Sequence, residues 1–134
     1  MIFLLDTDTL IYILKRRPPS VAARFEKLSP EEVAVSAISM AELTFGAERS
    51  ERPARGRRAV ERVADVLAVL PFDADAARAY GRLRRHLEQR GTPMGALDTL
   101  IAAHALALRA TLVTNNTREF ARVPGLKVEN WVDG

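Results

Sequence analysis

Asp6 directly follows the apolar run Ile2-Phe3-Leu4-Leu5. A charged group at the end of a buried segment needs a metal, a cation or a ring of backbone N–H groups, unless it simply bonds its own turn. Asp8, two residues on, has the plainer role of capping the helix that follows. Glu42 lies in Ser39-Met40-Ala41-Glu42. That spacing matches a capping box, in which the acid reaches back to the cap N–H. Asp98 is set in the apolar helix start Gly95-Ala96-Leu97-Asp98-Thr99-Leu100-Ile101. Ala102 and Ala105 share its face and admit close approach of another element, so its carboxylate is expected to point into a cleft. The alternative is a favourable interaction with the helix dipole. In Thr114-Asn115-Asn116-Thr117-Arg118-Glu119, Asn116 and Glu119 fit a cap and its partner, or two groups reaching a shared site. Carboxylates gathered at one place repel unless a divalent cation balances them. Oxygen-only donors suit Mg²⁺ or Mn²⁺ rather than zinc. Such ions assist phosphodiester displacement.

A parallel sheet is the element that brings such residues together. Short apolar runs at 2–5, 33–35, 69–70, 111–113 and 126–128 read as strands. They alternate with helical patterns at about 10–14, 20–28, 39–49, 57–68, 74–89 and 98–108. The order predicts an α/β fold with a central four- to five-stranded parallel sheet covered by helices on both faces. Ligand sites in such sheets lie beyond the carboxyl ends of the strands, which picks out Asp6, Ser36 and Asn115-Asn116. Glu42 and Asp98, at helix starts, fall near the same edge.

The chain has 134 residues, 48% of them hydrophobic, and no cysteine. One domain spanning 1–134 is expected. Disulfides and thiolate-bound zinc are excluded. No segment approaches the ~20 apolar residues of a membrane span, and the first apolar run is too short for a signal peptide. A soluble cytoplasmic protein follows as the expectation. The formal net charge is +3, yet the isoelectric point is about 9.8. Arginines crowd two segments, Arg49 to Arg62 and Arg78 to Arg90. Guanidinium forks match phosphate geometry, so both are candidate nucleic-acid contacts; the bland reading is two solvated helix faces. Histidine could support metal-free RNA cleavage. His86 reads as a solvated helix residue, and His104 lies off the Asp98 face; both are taken as structural.

Leu-Leu-Asp6-Thr-Asp, Met-Ala-Glu42-Leu, Gly-Ala-Leu-Asp98-Thr-Leu-Ile-Ala-Ala-His-Ala and Thr114-Asn-Asn116-Thr-Arg-Glu119-Phe resemble, in order and spacing, the motifs of PIN-domain ribonucleases. The likeness runs over nearly the whole chain. Phe45-Gly46-Ala47-Glu48 and the Asn-Asn-Thr-Arg-Glu-Phe ending resemble the VapC toxins of toxin–antitoxin pairs. The resemblance implies a Mg²⁺-dependent endoribonuclease, with Mn²⁺ able to substitute. Asp6, Glu42 and Asp98 would be metal ligands and Asn116 a catalytic neighbour, with Thr114, Asn115 and Glu119 in support. It further implies structured RNA, often transfer RNA, as substrate, a VapB-type antitoxin as partner, and a homodimer. Many family members carry an acid where this chain has Asn116, which leaves one metal ion or two open.

Two other readings compete. A non-catalytic RNA-binding module would keep the arginines and lose the metal site. A haloacid-dehalogenase-type phosphatase would use Asp6 as nucleophile and Asp8 as acid in Leu4-Leu5-Asp6-Thr7-Asp8-Thr9. It also needs a downstream lysine and an acid pair. After Asn116 only Lys127, Glu119, Glu129 and Asp133 remain, crowded near the terminus.

Overall fold

The computed structural model describes residues 2–133. Five strands form one sheet: β1 (Phe3–Leu5), β2 (Val33–Ser36), β3 (Ala68–Leu70), β4 (Thr111–Val113) and β5 (Lys127–Glu129). Their order is β3-β2-β1-β4-β5. Every pairing is parallel, with Leu4 opposite Ala34 on one side and Leu112 on the other. The helices are α1 (Thr7–Lys15), α2 (Pro19–Glu26), α3 (Ala37–Glu48), α4 (Pro53–Val66), α5 (Ala74–Gln89), α6 (Ala96–Leu108) and the single turn α7 (Thr117–Phe120). Among the described residues no helix is long and apolar enough to cross a membrane.

Alternation along β1 divides the core. Leu4 joins Ala34, Leu112 and the α5–α6 residues Leu83, Leu87, Ile101 and Ala102. Phe3 and Leu5 point the other way, to Leu10, Val21, Val33, Val35, Val63 and Trp131. Buried on both faces, β1, β2 and β4 are mostly apolar, which explains their legibility in sequence. The strand order reverses at β1, so a crevice opens beyond the carboxyl ends of β1 and β4.

Two helix starts differ from the sequence expectation. Helix α1 is capped by Asp6, not Asp8: the Asp6 carboxylate accepts from the Thr9 amide at 2.8 Å. Helix α3 begins at Ala37 with Ser36 as cap, its hydroxyl accepting from the Ile38 amide at 3.0 Å. The Ser39–Glu42 capping box therefore does not form. Both corrections have one cause: the chain passes from strand to helix with at most one residue between, so the residue at the strand's end, Asp6 just after β1 and Ser36 in β2, becomes the cap. Helix α4 also starts earlier than the 57–68 expectation, with Pro53 in its first turn, where a missing N–H costs nothing.

Ser36 Oγ also meets His104 Nδ1 at 2.8 Å, and the His104 ring packs edge-on to Phe72. Burial pushes the His104 pKa down, which suits an interior link between sheet and α6. Where α4 crosses α3, Gly56 lies against Ala47. A Cβ on Gly56 would come within 2.8 Å of the Ala47 Cβ and 3.0 Å of its Cα. Gly56→Ala is therefore expected to destabilise the fold by about 1–3 kcal/mol despite the better helix propensity of alanine. Chemical denaturation measures this; an unchanged or higher stability would show that the helices separate freely.

Candidate active site

Asp6 leaves β1 with its N–H still on the ladder, bonded to Val113 O at 3.0 Å. Only 7% of the residue is exposed. Burial pushes the carboxyl pKa above its ordinary value, opposed by hydrogen bonds from Thr114 and Thr9. Thr114 is itself fixed: its N–H reaches Glu129 O at 2.9 Å, and its hydroxyl accepts from the Asn116 amide at 3.0 Å. Thr9 adds a hydroxyl bond to Val113 O at 3.2 Å.

Glu42, in the second turn of α3, is half-buried. The Thr7 hydroxyl donates to its Oε1 at 2.7 Å across 35 residues of sequence. The start of α1 thus holds two acids, Asp6 through the Thr9 amide and Glu42 through Thr7. Sequence reasoning missed Thr7, because nothing local to it signals a partner that distant.

Asp98 sits in the first turn of α6. Its pKa is pushed up to about 6, first by burial, then by the charges of Glu119 and Glu42, a hydrogen bond with Glu119, and the charge of Asp6. The structure thus brings Asp6, Glu42 and Asp98 to one edge and adds Glu119 as the nearest acid to Asp98. The Asn116 side-chain amide donates to the Glu119 carboxylate. Asn116 is the N-cap of α7 by position but makes no side-chain capping bond. Asn115 faces elsewhere, toward Tyr12 Oη at 3.4 Å and Asn130 at 3.5 Å. Asp8 is exposed in the first turn of α1, a weak position for the phosphatase acid.

Among the described residues no three acids, histidines or cysteines form a ready-made cation cage. The donor chemistry nevertheless fits a divalent ion. All candidates are carboxylates, and Glu119, Glu42 and Asp6 stand close enough to Asp98 for their charges to help raise its proton affinity. A cation relieves that repulsion.

The two arginine groups separate in space. Arg49, Arg55 and Arg62 line a cleft of about 1090 Å³ together with Lys15, Thr7 and Glu42. Arg57 is held instead by Glu48 at 2.6 Å. The second group lies away from the acids: Arg78, Arg82 and His86 line another cleft with Leu106 and Ala107, in the last turn of α6. Asp98 is at the opposite end of that helix. His86 is half-buried there rather than solvated.

These features, five parallel strands with acids gathered at the carboxyl edge, belong to a known class. The chain is a member of the PIN-domain family, whose model matches residues 3–126. Within it the near relatives are VapC ribonucleases. The tRNA(fMet)-specific endonuclease VapC of Salmonella typhimurium is 41% identical over 129 residues, covering 96% of this chain and 97% of that protein. Ribonuclease VapC2 of Rickettsia felis is 39% identical over 132 residues, covering 98% of each. Among solved structures, VapBC2 from Rickettsia felis bound to a DNA fragment from their promoter superposes with a TM-score of 0.90 at 38% identity, covering 98% of this chain and 99% of that one. DNA-bound VapBC from Salmonella typhimurium gives 0.91 at 40%, covering 98% of both.

Proposed function

We propose that this chain is a metal-dependent endoribonuclease toxin of the VapC type, cutting structured RNA, with transfer RNA as the first substrate to test. The observation that carries the reading is the convergence of Asp6, Glu42, Asp98 and Glu119 at one edge of the sheet, where burial first and the neighbouring acids second push Asp98 up to about 6. The relative named as a tRNA(fMet)-specific endonuclease supports the substrate class. The solved VapBC complexes support a VapB-type antitoxin as partner. A homodimer and a single domain over 1–134 are part of the same proposal.

Asp6, Glu42 and Asp98 would hold Mg²⁺, with Mn²⁺ able to replace it. The cation would supply Lewis acidity toward a phosphodiester and balance charge developing on it. The rest falls to the chain. Thr7 and Thr114 fix the directions of Glu42 and Asp6. Asn116 acts through Glu119 as a positioning residue. Lys15, Arg49, Arg55 and Arg62 hold the RNA backbone beside an edge whose uncompensated negative charge would otherwise repel it. The non-catalytic and phosphatase readings gain no support from this set.

Cleavage of a total transfer-RNA pool by antitoxin-free protein tests the proposal. Fragments are expected with Mg²⁺ or Mn²⁺ and none in EDTA. Glu42→Gln keeps an acceptor for Thr7 but loses the charge, and is expected to cut about 10²–10³-fold more slowly. Fragments that persist in EDTA would overturn the carboxylate–metal assignment.

A further inference from the structure

We infer that Phe45 is a stacking platform for an unpaired base of the RNA, flanking the phosphodiester that is cut; this rests on the nuclease reading above. Phe45 is 64% exposed, while every other aromatic ring of the chain is buried or half-buried. It lies three residues after Glu42 on α3, so the two side chains share a helix face one turn apart. Both line the 1090 Å³ cleft. Leu97, which directly precedes Asp98 and is 45% exposed, lines it too. Each of these acids therefore has an exposed apolar neighbour opening onto the same cleft.

The cations select the occupant. The Arg49 guanidinium stands 5.1 Å from the Phe45 ring centroid, and Lys15, Arg55 and Arg62 share the cleft. Ile11, Leu14, Leu43, Val60 and Leu97 give the cleft a mainly apolar floor, which alone would suit a peptide helix; the four cations do not serve that purpose. A ring roofed by a guanidinium and walled by further cations suits a polyanion that also carries flat apolar faces, which is single-stranded nucleic acid. A paired base keeps its faces stacked within the duplex, so the platform admits only a splayed-out base.

The test uses an RNA oligonucleotide carrying 2-aminopurine, whose fluorescence is quenched by stacking, next to the bond that wild-type protein cuts. It is titrated into Asp98→Asn protein with and without Phe45→Ala, Phe45→Leu or Phe45→Tyr. Quenching is expected to persist with tyrosine and vanish with alanine and leucine. RNA affinity should fall about five- to hundredfold in the last two. In protein that keeps Asp98, the alanine and leucine substitutions should raise KM and leave kcat within about twofold. Because the ring is exposed, melting temperatures should match, which separates this result from misfolding. Unchanged quenching and affinity in Phe45→Ala overturn the inference. Light scattering that shows that variant losing an oligomer, with RNA binding intact, would assign the ring to a second copy of the chain; loss of VapB-type antitoxin binding alone would assign it to the antitoxin. Wild-type protein that neither binds nor cuts RNA with metal present would remove the nuclease reading itself. Normal cutting by Phe45→Ala would remove only the platform.

Discussion

Asp98→Asn is expected to abolish cleavage while making the metal-free protein harder to melt. The side chain's pKa rises from 3.8 to about 6 through burial and the nearby charges of Glu119, Glu42 and Asp6. A raised carboxylate binds protons more tightly folded than unfolded, so its contribution to stability is complete below about pH 4 and is lost as pH rises through about 6. At pH 7.5 in EDTA the ionised group is therefore a liability, and the neutral amide is not. The variant should melt a few degrees above wild type there, and the gap should close at pH 4. Asp98 is half-exposed, so solvent screening keeps the difference modest. Added Mg²⁺ or Mn²⁺ should raise the wild-type melting temperature much more than that of the variant. Cleavage should fall by at least about 10²-fold. A variant less stable than wild type in EDTA at pH 7.5 would show that the acids do not repel one another.

Trp131→Ala is expected to cost about 3–5 kcal/mol, the largest single loss of stability foreseen here. The indole is 1% exposed and lies 5.8 Å from the Phe3 ring. The Arg24 guanidinium stands 5.7 Å from the Trp131 ring centroid and 5.9 Å from that of Phe3. Indole Nε1 donates to Glu129 Oε1 at 3.2 Å, and Arg24 meets the same oxygen at 3.1 Å. The Ser20 hydroxyl reaches Val132 O at 2.8 Å. The segment after β5 thus fastens α2 to the sheet, and truncation leaves a cavity beside a carboxylate and a guanidinium. Trp131→Phe should recover part of the loss. Denaturation followed by circular dichroism measures it, since the chain has one tryptophan. A cost under about 1 kcal/mol would show that α2 holds without the clasp.

The sheet was legible because strands buried on both faces are mostly apolar, and three such runs, with Ser36 and Thr111 the only polar residues in them, are conspicuous even at three or four residues. Helix starts were less so. Asp6 and Asp8, or Ser36 and Ser39, are equivalent cap residues to a local reading; only the direct passage from strand to helix decides between them. The strand-edge rule picked out Asp6; Glu42, whose local spacing suggested a capping box, and Asp98 joined it through their places at helix starts and the resemblance to PIN-domain motifs. The contact of Glu119 with Asp98 did not, since Asn116 and Glu119 also satisfy a purely local pattern. The Thr7–Glu42 bond and the parting of the two arginine groups depend on how helices cross, which one-dimensional spacing does not encode.

Asp6 closes the first turn of α1 with the same carboxylate that faces the acidic edge. Loss of function there has two origins, a damaged helix and a damaged reaction centre, and only Asn, an equally good cap, would separate them. Under selection for escape from a toxic activity, other substitutions at Asp6 should surface as poorly accumulating proteins, whereas those at Asp98 should surface as abundant, intact and inert ones. If the proposed VapB-type partner exists, an inert chain that still folds would go on occupying it, so the position at which activity is lost would decide whether the cell keeps a decoy or merely clears a wreck.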